Sequence, residues 1–306
     1  MGISQYIKEI GRGPRGSKPL TREQAADLFG QLLDGNVTDL EIGAFCLAMR
    51  IKGETPEEMC GFLDAAHSRM ALFPASDRPV IVLPSYNGAR KLPVLTPLLA
   101  LLLAREGLPV LLHGMRTEAR RTLASDVLLA LGVPALTAPE KIATGSVAHI
   151  ETGYLHAALA RLLKVREVVG LRNAGHSIVK LMNPCAGPAV VVASYTHPEY
   201  YDMLQATFGA LHMTALLSRG LEGEVATDPR RTPRYDAFVA GVHQLLQEQQ
   251  PGTAADVPGL PTEIDIDTTA RYTQDVLDGR LPVPPALAQQ VEHILHLAAQ
   301  TPPHAP

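Results

Sequence analysis

Two short stretches place glycine, cationic side chains and a helix start together, which is the chemistry of an anion cradle. The first is Pro84-Ser85-Tyr86-Asn87-Gly88-Ala89-Arg90-Lys91, after an apolar run and before a helical pattern. Its Asn87-Gly88 turn permits close backbone approach, the following helix offers unpaired N–H groups, and Arg90 and Lys91 add fixed positive charge. A plain strand-to-helix turn with a solvated basic pair would look the same. The second is His113-Gly114-Met115-Arg116, with Arg120 and Arg121 behind it. His113 could act as a general base, donate to phosphate, or be a satisfied loop histidine. A third basic group comprises Arg161, Lys164, Arg166, Arg172 and Lys180, with His176 among them. Arg161 and Lys164 share a helix face, either toward an anion or toward solvent.

The elements that must position these residues follow from periodicity and caps. Thr21 with Gln24, Thr38 with Glu41, and Thr55 with Glu58 are capping boxes, and Pro56 suits a first helical position. Gly35 and Gly53 should end the first two of these helices. Leu40, Ala44, Leu47 and Ile51 recur at helical spacing and are expected to form one buried stripe. From Pro79 the pattern changes. Apolar runs at Val80–Leu83, Val110–Leu112, Ala189–Ala193 and His212–Leu217 alternate with helices near Pro93–Arg105, Thr122–Leu131 and His197–Phe208. This alternation predicts a mostly parallel sheet covered on both faces. Glu222–Glu263 reads as a long surface excursion with room for a pair of short strands. The expected division is a helical domain over residues 1–75, joined by helices within about 155–185, and an α/β domain over 76–306.

The chain has 306 residues, 46% of them apolar and 19% charged, which excludes wholesale disorder. Its net charge of −4 argues against an anionic partner, yet the charge is unevenly spread. Residues 1–83 carry −2, residues 84–185 carry +6, and residues 186–306 carry −8. The +6 block contains all three cationic groups. There is no Trp, and only Tyr86 and Tyr154 are aromatic within that block, so stacked bases are not an evident recognition mode. Cys46, Cys60 and Cys185 have neither disulfide-framework nor zinc spacing. Met1–Gly13 lacks a signal-peptide core, and the apolar run Pro97–Ala104 is too short for a membrane span. A reduced, cytoplasmic protein is the expectation.

On several of these segments the chain resembles the anthranilate phosphoribosyltransferase family and, within it, the YbiB-type DNA-binding branch. The resemblance rests on Tyr6–Gly13, Arg50–Glu54, Pro84–Lys91, His113-Gly114, Ser125-Asp126 before Leu131-Gly132, and Leu181–Pro184. It implies a small helical domain on a larger mostly parallel α/β domain of the nucleoside phosphorylase type, and a dimer through the helical domain. The transferases hold phosphoribosyl pyrophosphate with a Gly-Thr-Gly-Gly-Asp loop, which here is Pro84-Ser85-Tyr86-Asn87-Gly88. Their Asn-x-Ser-Thr helix start becomes Val94-Leu95-Thr96-Pro97, keeping only Thr96. Their Lys-His-Gly-Asn-Arg strand end becomes Leu112-His113-Gly114-Met115-Arg116. Their magnesium-carrying Asp-Glu pair falls on Val225 and Ala226, with Glu222 and Glu224 nearby.

A diphosphate leaving group needs a metal and carboxylates to compensate its charge. The loop here has exchanged an acid for cations, which suits a held polyanion better than a transferred ribosyl group. The leading expectation is therefore a homodimer binding single- or double-stranded nucleic acid non-specifically and without a cofactor. Its phosphate contacts would be Arg90, Lys91, Arg116, Arg120, Arg121, Lys164, Arg166, Arg172 and Lys180. Asn87, Gly88, Thr96, His113 and Gly114 complete the expected anion site. The alternative is a phosphoribosyl transferase on another acceptor, with Thr96, His113 and Arg116 on the phosphates and Glu222 or Glu224 on Mg²⁺. A small-phosphate sensor or a partner-binding relic of the fold is a third possibility.

Overall fold

The computed structural model describes residues 2–13, 15–118, 120–253 and 256–302. It begins with α1 (Ser4–Ile10), α2 (Arg22–Leu33), α3 (Asp39–Lys52) and α4 (Pro56–His67). All three expected capping boxes form with both reciprocal hydrogen bonds. Gly53 stops α3 at φ +79°, and Gly35 follows α2 at φ +74°. Phe29, Phe45 and Phe62 meet at the centre of this layer, with ring centroids 5.1–6.2 Å apart.

The stripe expected to be buried on α3 is not. Leu40 is 86% exposed, Ile51 63% and Leu47 46%. The helix instead buries Phe45, Cys46 and Met49. A helical period identifies apolar stripes, but when a helix carries two it does not say which faces inward.

The rest is an eight-stranded mixed sheet with strand order β3-β4-β2-β1-β5-β6-β7-β8. Its strands are β1 (Val80–Ser85), β2 (Val110–Gly114), β3 (Ala135–Leu136), β4 (Val147–Glu151), β5 (Ala189–Tyr195), β6 (Ala215–Arg219), β7 (Tyr235–Val239) and β8 (Val242–Gln247). The first six in chain order pair in parallel, and β7 and β8 are antiparallel. The intervening helices are α5 (Thr96–Arg105), α6 (Ala124–Ala130), α7 (Thr152–Leu155), α8 (Ala157–Val169), α9 (Gly175–Ile178), α10 (Glu199–Ala210), α11 (Ile266–Leu277) and α12 (Pro285–Gln300). The chain thus has an N-terminal helical unit and a larger, mostly parallel α/β unit.

Alternation along the strands divides the core. Val80, Val82, Leu111 and Val191 face a cluster shared with α2–α4, α8 and α10. Ile81, Leu83, Val190 and Val192 face α5, α11 and α12. The segment read as a surface excursion with a pair of short strands supplies that pair, β7 and β8, but β7 is not at the surface: its Tyr235 and Phe238 are buried in the sheet. Antiparallel addition at a sheet edge needs only a short hairpin, so it leaves little helical periodicity to read. Among the described residues, no helix is long and apolar enough to cross a membrane.

One close approach joins fold to site. A Cβ on Gly114 would collide with the Ser85 carbonyl oxygen of the adjacent strand. Gly114→Ala should therefore spread β1 from β2 and destabilise the protein by about 1–3 kcal/mol, read as a lower denaturation midpoint in urea.

Candidate functional site

The two basic loops lie side by side at the carboxyl ends of β1 and β2, where parallel sheets gather ligands. Gly88 adopts φ +67°, and a Cβ there would sit 2.7 Å from the Thr122 carbonyl oxygen. The adjacent Ala89 N–H donates to that same carbonyl at 2.8 Å, so the first loop is stitched to the segment carrying Arg121.

The N–H groups of this cradle are already occupied. The Asn87 and Gly88 amides both donate to Glu224 Oε1 at 2.8 Å. Ser85 Oγ and Thr96 Oγ1 donate to Glu224 Oε2 at 2.5 and 3.0 Å. The Arg90 and Lys91 amides donate to Glu222 Oε2 at 2.8 and 3.1 Å, and Arg90 Nε lies 3.6 Å from Oε1. Glu224 is only 3% exposed. Its four donors supply the charge-assisted bonds that a buried carboxylate requires. Both acids come from the turn between β6 and β7. That turn holds Glu222 in the left-handed region at φ +53°, and a Cβ on Gly223 would collide with Asn87 Nδ2.

The second loop contributes differently from its sequence reading. His113 is fully buried, with Nδ1 2.9 Å from Tyr86 Oη, which also meets Thr152 Oγ1 at 2.8 Å. Burial pushes the imidazole down to about 3, so the ring is neutral and supports Tyr86 inside the fold. Gly114 serves strand packing, as described above. Arg116 reaches sideways to Asp126 Oδ2 at 2.5 Å and to the Arg121 carbonyl at 2.9 Å.

Three arginines from separate segments converge on one acid. Glu118 accepts from Arg121 Nε and Arg166 Nη1 at 3.0 Å and from Arg172 Nη2 at 3.2 Å. Burial pushes the Glu118 carboxyl up, but the Arg166 hydrogen bond and neighbouring guanidinium charges outweigh it and hold the pKa below the usual range. Arg121 also donates to the Asn87 carbonyl at 3.2 Å, tying this cluster to the cradle. Lys180 Nζ donates to the Gly223 carbonyl at 3.2 Å. Burial and then the Arg172 charge lower its pKa to about 8, with Glu224 opposing. Of the other cations, Lys91, Arg120 and Lys164 are exposed, the last on the outer face of α8.

The structure therefore unites Arg121, Arg166, Arg172 and Lys180 beside Asn87, Gly88 and Thr96, and leaves Lys164 apart. Sequence reasoning had no role for Ser85 or Glu118. Glu118 is the only acid between Arg116 and Arg121, a weak signal for a shared counter-ion. A larger cavity, about 750 Å³, opens at the amino ends of β5 and β6, where Arg22 is already paired with Asp64.

A magnesium–diphosphate complex fits these donors poorly. Glu224 already accepts four donors and Glu222 two loop amides, so both acids face the loop that a diphosphate would occupy.

Residues 4–70 match the glycosyl transferase family helical bundle domain. The chain is 37% identical to the uncharacterized protein YbiB of Escherichia coli K12, over 95% of this chain and 92% of that one. It is 25% identical to the anthranilate phosphoribosyltransferase of Persephonella marina, over 91% of this chain and 83% of that one. The crystal structure of anthranilate phosphoribosyltransferase from Thermus thermophilus superposes with a TM-score of 0.72 at 21% identity, covering 97% of this chain and 87% of that one. The last likeness is one of fold.

Removing the carboxylate that fills the cradle should be costly. In Glu224→Gln the amide presents an N–H where an acceptor is needed, leaving buried donors unpaired. A loss of about 2–3 kcal/mol is expected in chemical denaturation.

Proposed function

Since this chain belongs to the anthranilate phosphoribosyltransferase family, we propose that it is a member turned from ribosyl transfer to holding nucleic acid by its backbone phosphates. The observation that carries this reading is the state of the phosphate loop. The amides that would meet a diphosphate are bound to Glu222 and Glu224, while cations stand around the loop's margin. Three guanidiniums about one carboxylate leave a local excess of positive charge. Lys91 and Arg120 extend it outward from the two loops. Contacts of this kind fix a strand's position and carry no base sequence, so binding is non-specific.

Affinity should fall steeply with salt, by about 0.9 log units per tenfold salt for each phosphate neutralised. Lys91→Gln with Arg120→Gln should lower that slope by about 1.8. Both side chains are exposed, so folding is not at stake. A mobility shift that stays blank at low salt with both single- and double-stranded DNA would overturn the proposal.

A second reading, transfer of a phosphoribosyl group to an unknown acceptor, is favoured by one observation. Ser85, Thr96 and Glu224 still converge at the strand end where a transferase would gather its diphosphate. That reading requires Glu224 to leave the loop amides. Calorimetry with phosphoribosyl pyrophosphate and Mg²⁺ separates the two: silence supports the binding protein, and micromolar metal-dependent heat supports the transferase.

The assembly we propose is a homodimer through α3. Its exposed Leu40, Leu47 and Ile51 form an apolar face that a second copy would cover. Leu47→Glu should convert a dimer into a monomer in sedimentation velocity. A wild-type monomer at micromolar concentration would refute the arrangement.

A further inference from the structure

We propose that the cavity between α3, α9 and α10 receives one unpaired nucleotide of a bound strand, its phosphate toward Arg172 and Lys180 and its base toward Tyr200. This inference rests on the nucleic-acid reading and names the strand form that the site prefers.

The cavity is about 620 Å³, within the range of roughly 300–1,000 Å³ typical of small-molecule sites. Two segments of different chemistry line it. Arg172, His176 and Lys180 come from the segment around α9, and Tyr195, His197 and Tyr200 from the end of β5 and the start of α10. The aromatic residues lie outside the basic block of the sequence, and the fold brings them to it. The His197 and Tyr200 ring centroids are 6.4 Å apart, making a paired aromatic surface beside the cations. Stacking on such rings accepts any base, in keeping with binding that reads no sequence.

His176 supplies an independent observation. It is only 7% exposed, and its Nε2 has no hydrogen-bond partner. Its Nδ1 lies 3.3 Å from both the Asn173 backbone N–H and Asn173 Oδ1. In either ring tautomer Nε2 is a buried polar atom without a partner on a residue that lines the cavity. Burial, then the Arg172 charge, keep the ring neutral, with a pKa near 3. A nucleotide's phosphate oxygen or sugar hydroxyl supplies the partner that this nitrogen lacks, the first for a donor and the second for an acceptor. Glu54 and Glu199, also on the lining, can accept from the amino groups of a base. An intact duplex keeps its bases stacked and paired, so only an unpaired nucleotide can enter.

The test compares three nucleic acids by competition: an adenine-rich single strand, the same strand with abasic sites, and a closed circular duplex. Tyr200→Leu should weaken single-strand binding about tenfold and leave the duplex unchanged. The abasic strand should bind wild-type protein about as weakly as the intact strand binds the variant. Tyr200→Phe should restore strand affinity, which separates lost stacking from a damaged fold. Equal effects on strand and duplex, no effect on either, or undiminished abasic binding would overturn the inference. So would competition by free deoxyadenosine monophosphate at micromolar concentration, which would assign the cavity to free nucleotides. If wild-type protein binds none of the three, the nucleic-acid reading fails as well. If it binds all three with no response to Tyr200→Leu, only this inference fails.

Discussion

A carboxylate that accepts four hydrogen bonds at the end of β1 organises this molecule's ligand face. Glu224 takes two amides from the loop after β1, the Ser85 hydroxyl on that strand, and the Thr96 hydroxyl at the start of α5. The bonds fix the loop, the helix start and the turn after β6 relative to one another. The same turn reverses the chain from parallel β6 into antiparallel β7. Removing the charge would leave several buried donors unpaired at once, so loop, helix and strand reversal depend on a single side chain.

The cations answer a second constraint. A block of +6 in sequence suggests a uniformly positive surface, but much of that charge is paired in space. Arg90 leans on Glu222, Arg116 on Asp126, and three arginines share Glu118. The shared acid holds guanidiniums together that would otherwise repel, without neutralising them. The result is a compact positive centre with Lys91 and Arg120 exposed at the surface.

What the sequence revealed divides along local and distant lines. Capping boxes at Thr21, Thr38 and Thr55 depend on residues three apart, and the strands at Val80 and Val110 on continuous apolar runs, so these were legible. The inward face of α3 was not, because Phe45 and Met49 compete with Leu40 and Ile51 and only a partner layer decides between them. The pair of short strands in Glu222–Glu263 was legible, but the burial of β7 was not, because the chain around it carries no regular period. At the site, Asn87 and Gly88 stood out by loop position, and Thr96 and Glu224 only through the family resemblance. Glu224 lies 136 residues beyond Gly88, and no spacing rule reaches that far. His113 was open between a general base, a phosphate contact and a histidine satisfied within the fold, and it joined the expected anion site only because two basic loops lie at adjacent strand ends. Only packing shows it turned inward against Tyr86.

The filled cradle bears on how such a protein can change. Glu222 and Glu224 satisfy four backbone amides that any diphosphate would also need. Losing one acid leaves orphaned donors and still no metal site, so a single substitution is deleterious before it is useful. Opening the cradle to a diphosphate requires several coordinated changes, in the turn that bears the acids and in the loop that accepts them. The turn after β6 thus acts as a ratchet on the loop after β1, holding it filled while the exposed cations remain free to vary one at a time.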